Sequence, residues 1–218
     1  MLKNLSKKQR IIFVCYIIVA FFITQFIAGF VFGVVSALKD DGNLDTYSIL
    51  ILSNLLNIFF IKNIFSKYGI NIFKDKKNKL LEILVVIIIS AIFNISLGFI
   101  INYFKLSTSN QEALEIMMQG KNIVYIIIGS AVIVPIAEEL LFRGVFANLF
   151  SNKKINFIIS VLFFTIMHGP KNIIEFIPYF LMGILFTGTY FYTGSLKLAM
   201  LAHIVNNFLA MLSFYFKN

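Results

Sequence analysis

The amino-acid sequence predicts an all-α fold, a polytopic bundle of about seven (six to eight) transmembrane helices. Of its 218 residues, 59% are hydrophobic and only 13% are charged, which is about half the charged fraction of a typical soluble domain. Apolar runs of membrane-spanning length recur from end to end, and the alternating segments of about ten residues that mark a membrane β-barrel are absent from the sequence. We therefore interpret residues 1–218 as a single membrane domain.

Seven apolar segments are candidates for the membrane helices. The first is preceded by basic residues, as in a signal peptide, but its 28 residues exceed the apolar core of about 7–15 residues that signal peptides have. We therefore expect it to be retained as a helix. Because a spanning helix needs about 20 apolar residues, the short second and fifth segments require tilting or extension. In chain order the segments are 11–38, 47–61, 80–104, 123–150, 155–168, 173–193 and 196–216.

The loop charges predict the orientation of the bundle. The net charge is +9, and segments 1–10, 62–79 and 151–154 carry four, six and two basic residues. Loops 39–46 and 105–122 instead carry at least as many acidic as basic residues. Because positively charged loops remain in the cytoplasm, we expect a cytoplasmic N-terminus and a polar extracytoplasmic loop that can form a short surface helix. We assign the basic charge to topology and anionic lipid, not to nucleic acid.

Three short patterns bring polar residues to membrane depth in the second half of the chain. A charge near the bilayer centre costs a few kcal/mol on insertion scales, so such residues need a partner, a wet cavity or a chemical role. The chain has only two histidines, and both fall within the patterns. The patterns are Glu138-Glu139-x-x-x-Arg143, Phe164-x-x-x-His168 and His203-x-x-x-Asn207.

Helix geometry predicts different roles for the two adjacent glutamates. Residues four apart share a helix face, so Glu139 can pair with Arg143. Glu138 points about 100° away and has no partner on its own helix, which leaves it free to act as a base. Glu138 lies 13 residues before Ser151, and His168 lies 14 residues after Lys154. Both are therefore roughly 20 Å from the same turn, and we expect them to lie at the same depth.

This set of side chains has the composition of a peptide-hydrolysis site. Glu138 can abstract a proton from water, one histidine can orient that water, and the other imidazole and the Asn207 amide can stabilise an oxyanion. Buried Glu–Arg pairs, His and Asn also join helices structurally, and packing is the simpler role for Phe164. A transporter or proton relay also uses such residues, but we find no internal repeat of the kind that transporters have.

At these residues the chain resembles the CPBP family of intramembrane proteases, the CAAX-protease and bacteriocin-processing group, also called Abi. That family is marked by EExxxR, FxxxH and HxxxN motifs on separate membrane helices, and all three are complete here. The flanks are similar as well, with Gly144 after the first motif and Tyr190-x-x-Thr193-Gly194-Ser195-Leu196 before the last histidine. The resemblance covers about residues 125–210, and we expect the catalytic core within 123–210.

The resemblance implies an intramembrane endopeptidase whose site opens towards the cytoplasmic side and whose substrate is a membrane-associated peptide or protein. It implies Glu138 as general base, His168 as the residue that positions water, and His203 with Asn207 as the oxyanion-stabilising pair. Members are often called metalloproteases, and Glu138, His168 and His203 could hold a divalent metal such as zinc. Asn is a poor zinc ligand and no HExxH occurs, so we favour glutamate-activated water.

The resemblance also indicates a biological setting. Eukaryotic members cut prenylated CAAX proteins, whereas bacterial members are linked to peptide maturation, bacteriocin immunity and signalling. The Lys-, Asn-, Ile- and Phe-rich composition is typical of AT-rich bacteria, so we expect a bacterial cell membrane and a substrate without a prenyl group. A non-catalytic immunity or scaffold protein of the same fold is the alternative. The substrate and the oligomeric state stay open.

Overall fold

The computed structural model describes residues 2, 5–39, 45–71, 78–104 and 108–217, and over these residues the chain is helical without a β-strand. The predicted all-α fold is confirmed. Parts of the loops used in the charge argument, 40–44, 72–77 and 105–107, lie outside the described residues. The helices are α1 (Lys7–Lys39), α2 (Thr46–Lys67), α3 (Leu80–Tyr103), α4 (Ser109–Met118), α5 (Ile123–Asn148), α6 (Lys153–Met167), α7 (Ile173–Thr193) and α8 (Leu196–Lys217).

Six of these described helices, α1, α2, α3, α5, α7 and α8, are long and apolar enough to cross a membrane. The second predicted segment was too short because α2 continues past its apolar part to Lys67. The fifth segment forms α6, whose 15 residues extend only about 22 Å, less than the hydrocarbon core of about 30 Å. Over the described residues the bundle therefore has six full-length helices and one shorter helix, α6, with α4 as a separate short helix.

The sequence sets the helix boundaries around the second half of the bundle. Asn152 accepts hydrogen bonds from the first backbone N–H groups of α6, and Asn172 does the same for α7, as N-cap residues do. Helix α7 ends at Gly194, whose φ of 67° is left-handed and therefore suits glycine. These signals produce tight turns between α6, α7 and α8, which keep the three helices adjacent.

Helix α5, which carries both glutamates, is not a uniform α-helix. Ile127–Ile133 and Leu140–Val145 are π-helical, with one α-helical turn and a half, Val134–Glu139, between them. Pro135 lies at the start of that central part. A proline lacks the backbone N–H that an α-helix needs, and the wider preceding turn accommodates it. Short π-helical insertions of this kind occur frequently at functional sites.

Hydrogen bonds between elements distant in the sequence define two ends of the bundle. At the first, which we call the α4 end, Tyr47 Oη donates to Ile126 O at 2.9 Å, and Thr108 Oγ1 lies 2.7 Å from Tyr179 Oη. At the second, the lysine-rich end, Arg10 Nη1 donates to Leu149 O at 3.2 Å. The α4 end comprises residues 45–47, 104, 108–123 and 168–172 with the end of α8. The lysine-rich end comprises 5–10, 67–71, 149–154 and 193–196.

Candidate functional site

The predicted catalytic residues come together around one cavity of about 800 Å³ within the described part of the chain. Glu138 reaches it from α5, His168 from the end of α6, and His203 and Asn207 from α8. Phe164 also lines this cavity, whereas Glu139 and Arg143 lie behind it, fully buried. The structure therefore separates the two glutamates as helix geometry predicted, one facing the cavity and one facing the protein interior.

The centre of the site is the Oε2 atom of Glu138. It lies 3.7 Å from His203 Nε2 and 3.9 Å from His168 Nε2, distances too long for direct hydrogen bonds. The atom is buried and has no hydrogen-bond partner among the described residues. Polar atoms separated by such distances are often bridged by a water molecule. The geometry therefore fits one small polar species held between the carboxylate and the two imidazoles.

The tautomer of each histidine follows from the hydrogen-bond partner of its Nδ1 atom. His168 Nδ1 lies 2.7 Å from the backbone oxygen of Phe164, and His203 Nδ1 lies 2.8 Å from Glu139 Oε1. A carbonyl and an ionised carboxylate only accept hydrogen bonds, so we assign the proton to Nδ1 in each ring. In the neutral rings both Nε2 atoms then present lone pairs to Glu138. Three hydrogen-bond acceptors, Glu138 Oε2 and the two Nε2 atoms, therefore face one another. A proton or a cation between them is needed to offset their mutual repulsion.

Glu139 has two partners where the sequence predicted one. The expected pair is present, with Arg143 Nη1 2.7 Å from Glu139 Oε1 and both side chains fully buried. The same oxygen accepts from His203 Nδ1, so Glu139 fixes the orientation of that imidazole, as a carboxylate does in other His-containing sites. Sequence reasoning missed this contact because the residues are 64 positions apart and the i,i+4 rule applies only within a helix.

Aromatic rings hold both imidazoles in place. Phe164 is fully buried, with its centroid 4.4 Å from that of His168 and 5.7 Å from that of His203. Tyr179 stacks on His168 at 4.5 Å, and Phe186 stacks on His203 at 4.2 Å. The packing role expected for Phe164 agrees with this geometry. Sequence reasoning missed Tyr179 and Phe186, and no motif distinguishes them among 26 Phe and nine Tyr residues.

Asn207 has a more restricted amide than the resemblance implies. Its Nδ2 donates to the backbone oxygen of Ser130 at 3.1 Å, and its Oδ1 accepts from Asn206 at 3.3 Å. An amide nitrogen carries two hydrogens, so one remains for a ligand. His203, by contrast, can donate from Nε2 only as an imidazolium, because its Nδ1 hydrogen is directed at Glu139. An oxyanion-stabilising pair therefore requires a protonated His203.

The same three side chains are the candidate metal ligands. One carboxylate and two imidazole nitrogens form a donor set that zinc accepts. Tetrahedral ligands at zinc lie about 3.3 Å apart, whereas the Glu138–His distances are 3.7 and 3.9 Å. Among the described residues no group of three or more His, Cys, Asp or Glu side chains is spaced to hold a metal ion. The donor set fits zinc chemically, and the spacing requires a closure of about half an ångström.

The cavity extends from the middle of the bundle towards the α4 end. Its lining includes Thr108, Asn110 and Glu115 from the α4 region and Phe214 from the end of α8. The loop charges predict that this end lies outside the cytoplasm, whereas the resemblance implies an opening towards the cytoplasmic side. The two expectations cannot both hold for a cavity that opens at the α4 end. If the charge pattern gives the correct orientation, the opening faces away from the cytoplasm, and if the resemblance is right, the α4 end is cytoplasmic.

Fold and site together define an all-helical membrane protein with a carboxylate–imidazole centre in a sheltered cavity. Residues 120–209 match the family model described as Rce1-like, type II CAAX prenyl endopeptidase. This region contains all three motifs, and the resemblance to the CPBP family is confirmed over it. The family is a protease family of the CAAX type.

The chain is also similar to several bacterial proteins. An uncharacterized protein of Mycoplasma capricolum is 30% identical over 186 residues, which are 77% of this chain and 55% of that protein. The UPF0177 protein YajF of Lactococcus lactis is 38% identical over 88 residues, 40% of this chain and 44% of that protein. The chain thus spans about half the length of these curated relatives. No solved structure matches it significantly.

Proposed function

We propose that this protein is an intramembrane endopeptidase that hydrolyses a peptide bond of a membrane-associated peptide or protein with water activated by Glu138. The observation that carries the proposal is the buried, unpartnered Oε2 atom of Glu138 facing two imidazole nitrogens in a cavity. The match of residues 120–209 to a protease-family model supports the reaction class. We assign the protein to the bacterial cell membrane, with peptide maturation or bacteriocin immunity as its role.

In this mechanism Glu138 removes a proton from water as the water oxygen attacks the peptide carbonyl carbon. His168 orients the water through Nε2, because its Nδ1–H is fixed on Phe164 O. The C–N bond then breaks, and Glu138 passes the proton to the amine that leaves. No covalent enzyme intermediate forms. General base catalysis of this kind contributes about 10²–10⁴-fold in rate.

The oxyanion formed on the attacked carbonyl needs hydrogen-bond donors on the side away from the attacking water. Protonated His203, oriented by Glu139, supplies Nε2–H, and Asn207 supplies its second amide hydrogen. The imidazolium also provides the proton that balances the three converging acceptors. Loss of one such donor typically costs about 10²–10³-fold in kcat, so the two donors together account for a substantial part of the rate.

A comparison of peptides from three bacterial strains tests the proposal. The strains produce the wild-type protein, Glu138→Gln, and a matched control, Glu82→Gln. Glu82 accepts the backbone N–H of Lys79 at the start of α3 and does not line the cavity, and Gln preserves such a cap. We expect a cleavage product in the wild-type and Glu82→Gln strains that is missing in the Glu138→Gln strain. Identical peptides in all three, with the biological phenotype intact, would instead identify a non-catalytic scaffold.

A further inference from the structure

We infer that Asn206 is a positioning residue for the proposed reaction: together with Asn94 of α3, it fixes the side-chain amide of Asn207 so that the nitrogen, and not the oxygen, faces the oxyanion. The inference rests on the proposed function, in which Asn207 is an oxyanion donor. It is carried by a chain of hydrogen bonds that joins α3, α8 and α5 beside the cavity.

Three carboxamide side chains follow one another along this chain of bonds. Asn94 Nδ2 donates to Asn206 Oδ1 at 3.2 Å, and Asn206 Nδ2 donates to Asn207 Oδ1 at 3.3 Å. Asn207 Nδ2 then donates to the backbone oxygen of Ser130 in α5 at 3.1 Å. All four residues line the cavity, so the bonds run along the wall of the site.

The two ends of the chain determine the direction of every bond in it. The oxygen of a carboxamide accepts and its nitrogen donates, so a rotation of 180° about the last side-chain bond exchanges one for the other. At the first end, Asn94 Nδ2 also donates to the backbone oxygen of Asn206 at 3.0 Å, and at the other end the partner is the backbone oxygen of Ser130. A backbone oxygen only accepts, so both terminal amides must present nitrogen. Asn206 then satisfies its neighbours only with Oδ1 towards Asn94 and Nδ2 towards Asn207.

Asn206 has no amide hydrogen left for a substrate. The residue is only 3% exposed, and its Nδ2 also donates to Sδ of Met182 in α7 at 3.5 Å. A thioether sulfur is a weak acceptor, and with Asn207 Oδ1 it uses both hydrogens of that nitrogen. Asn206 therefore acts through Asn207 and is a positioning residue, not a catalytic one.

The consequence for the reaction is a defined direction for the second hydrogen of Asn207. If this amide rotated by 180°, it would present an oxygen lone pair in place of that hydrogen and would repel the oxyanion. The bond to Ser130 O opposes the rotation at the nitrogen, and the bond from Asn206 opposes it at the oxygen. Donors that are fixed in advance stabilise a transition state without reorganising during the reaction.

The support from α3 comes from outside the region that matches the family model, since Asn94 precedes residues 120–209. The orientation of a motif residue thus depends on a helix that carries none of the three motifs. Bonds between asparagines of neighbouring helices also serve simply to join the helices. An experiment must therefore separate a positioning role from a structural one.

A double-mutant cycle with the purified protein separates these roles. We expect Asn206→Leu to lower kcat about 10-fold with KM unchanged, a smaller effect than the 10²–10³-fold that loss of an oxyanion donor typically causes, because the positioned group acts in the transition state. In an Asn207→Ala background the same substitution should cause no further decrease, because the group that it positions is absent. An equal fold-decrease in both backgrounds would overturn the positioning role.

Asn94→Leu provides a second variant that leaves α8 unchanged, in case Asn206→Leu protein does not fold. We expect it to lower kcat in the same way. Asn57→Leu is the matched control, because Asn57 is a buried asparagine that accepts from Thr24 Oγ1 at 2.6 Å, joins α2 to α1 and does not line the cavity. It should lower the melting temperature without changing kcat. A wild-type kcat in Asn94→Leu would overturn the inference.

A measurement without substrate makes the inference separable from the proposed function. In protein containing asparagine labelled with the NMR-active nitrogen isotope, the side-chain amide signal of Asn207 is identified by its loss in Asn207→Ala. We expect this signal to shift in Asn94→Leu and to stay in place in Asn57→Leu.

The two kinds of failure then give different results. A shifted Asn207 signal in a protein without Glu138-dependent cleavage would remove the protease proposal and leave the fixed amide standing. Glu138-dependent cleavage with the Asn207 signal unchanged in Asn94→Leu would remove the inference about Asn206 and Asn94 alone.

Discussion

The adjacent residues Glu138 and Glu139 differ chiefly in their hydrogen-bonding partners. The side chain of Glu138 is 23% exposed, in the cavity, and its Oε2 atom has no partner among the described residues. Glu139 is 0% exposed, and its Oε1 atom accepts from both Arg143 and His203, while its Oε2 atom also has no partner among the described residues. One carboxylate is therefore available for chemistry, and the other is part of the folded scaffold that orients the site.

The same substitution should change thermal stability at one glutamate and leave it almost unchanged at the other. Glu139→Gln removes the charge that compensates Arg143, whose other acceptors are Gly183 O and Thr187 Oγ1. Breaking a buried ion pair costs about 3–5 kcal/mol, so we expect a large loss of thermal stability in detergent. Glu138→Gln breaks no direct hydrogen bond at Oε2 and should melt close to the wild type. Equal melting temperatures for the two variants would contradict this division of roles.

Removal of metal separates glutamate-activated water from a metal-dependent reaction at the same residues. We expect purified protein dialysed against a chelator to retain peptide cleavage, because the proposed mechanism uses Glu138 and His168 alone to activate water. The measurement is the cleavage rate before dialysis, after it, and after addition of zinc. Loss of activity that zinc restores would instead assign Glu138, His168 and His203 as metal ligands.

Much of the site was predictable from residue spacing, and the rest depends on contacts between helices. The i,i+4 rule predicted the Glu139–Arg143 pair, and counting residues from a shared turn placed Glu138 and His168 at one depth. The Glu139–His203 bond and the stacking of Tyr179 and Phe186 could not be predicted in this way. These contacts depend on how α5, α7 and α8 rotate against one another, which one sequence does not specify.

At the scale of elements, α4 is tied to α7 beside the site. Thr108 Oγ1 and Asn110 Nδ2 contact Tyr179 Oη at 2.7 and 3.3 Å, and Ser109 Oγ donates to Glu175 at 3.2 Å. The sequence predicted a short helix in this loop but not its attachment. Glu175, near the start of α7, is only 8% exposed.

Tyr179→Phe should release α4 without disturbing His168, because the phenyl ring keeps the stacking contact and only the hydroxyl is lost. We expect faster backbone hydrogen exchange in residues 108–118 with an unchanged melting temperature. Tyr179→Leu removes the stack as well and should also reduce the rate of cleavage. If exchange in 108–118 is the same in Tyr179→Phe as in the wild type, these hydrogen bonds do not hold α4.

Helix α5 depends on a close approach to α2 at Gly129. A Cβ atom there would lie 2.5 Å from Tyr47 Oη and 2.7 Å from Ile51 Cδ1, and Tyr47 is itself held by bonds to Ile126 and Ser130. We expect Gly129→Ala to cost about 1–3 kcal/mol, as overpacked cores do, and to lower the melting temperature.

A matched glycine provides the control for this prediction. An added Cβ at Gly29 of α1 meets nothing within 4 Å, so Gly29→Ala should leave the melting temperature unchanged or raise it slightly, since Ala favours helix. A Gly129→Ala protein as stable as Gly29→Ala would show that α2 and α5 do not pack closely at this point.

At the scale of the whole molecule, composition and apolar run length predicted the helical bundle, because the bilayer allows few alternatives. Run length did not determine the number of full-length spans, since α6 is too short to cross the hydrocarbon core alone and depends on neighbours for its position. The orientation expected from the loop charges stays a prediction, and charge gave no information on the location of the cavity. That location depends on which half of the bundle is filled by side chains such as Phe146, and packing of this kind leaves no periodic signal in the sequence.

The most direct test of the account is the rate at which purified protein in proteoliposomes cleaves the peptide that the strain comparison identifies. The ratio of the wild-type rate to the Glu138→Gln rate measures what the free carboxylate contributes. We predict a decrease of at least about 100-fold with the melting temperature preserved. Rates within about twofold of each other, given well-folded protein, would contradict the claim that Glu138 activates the attacking water.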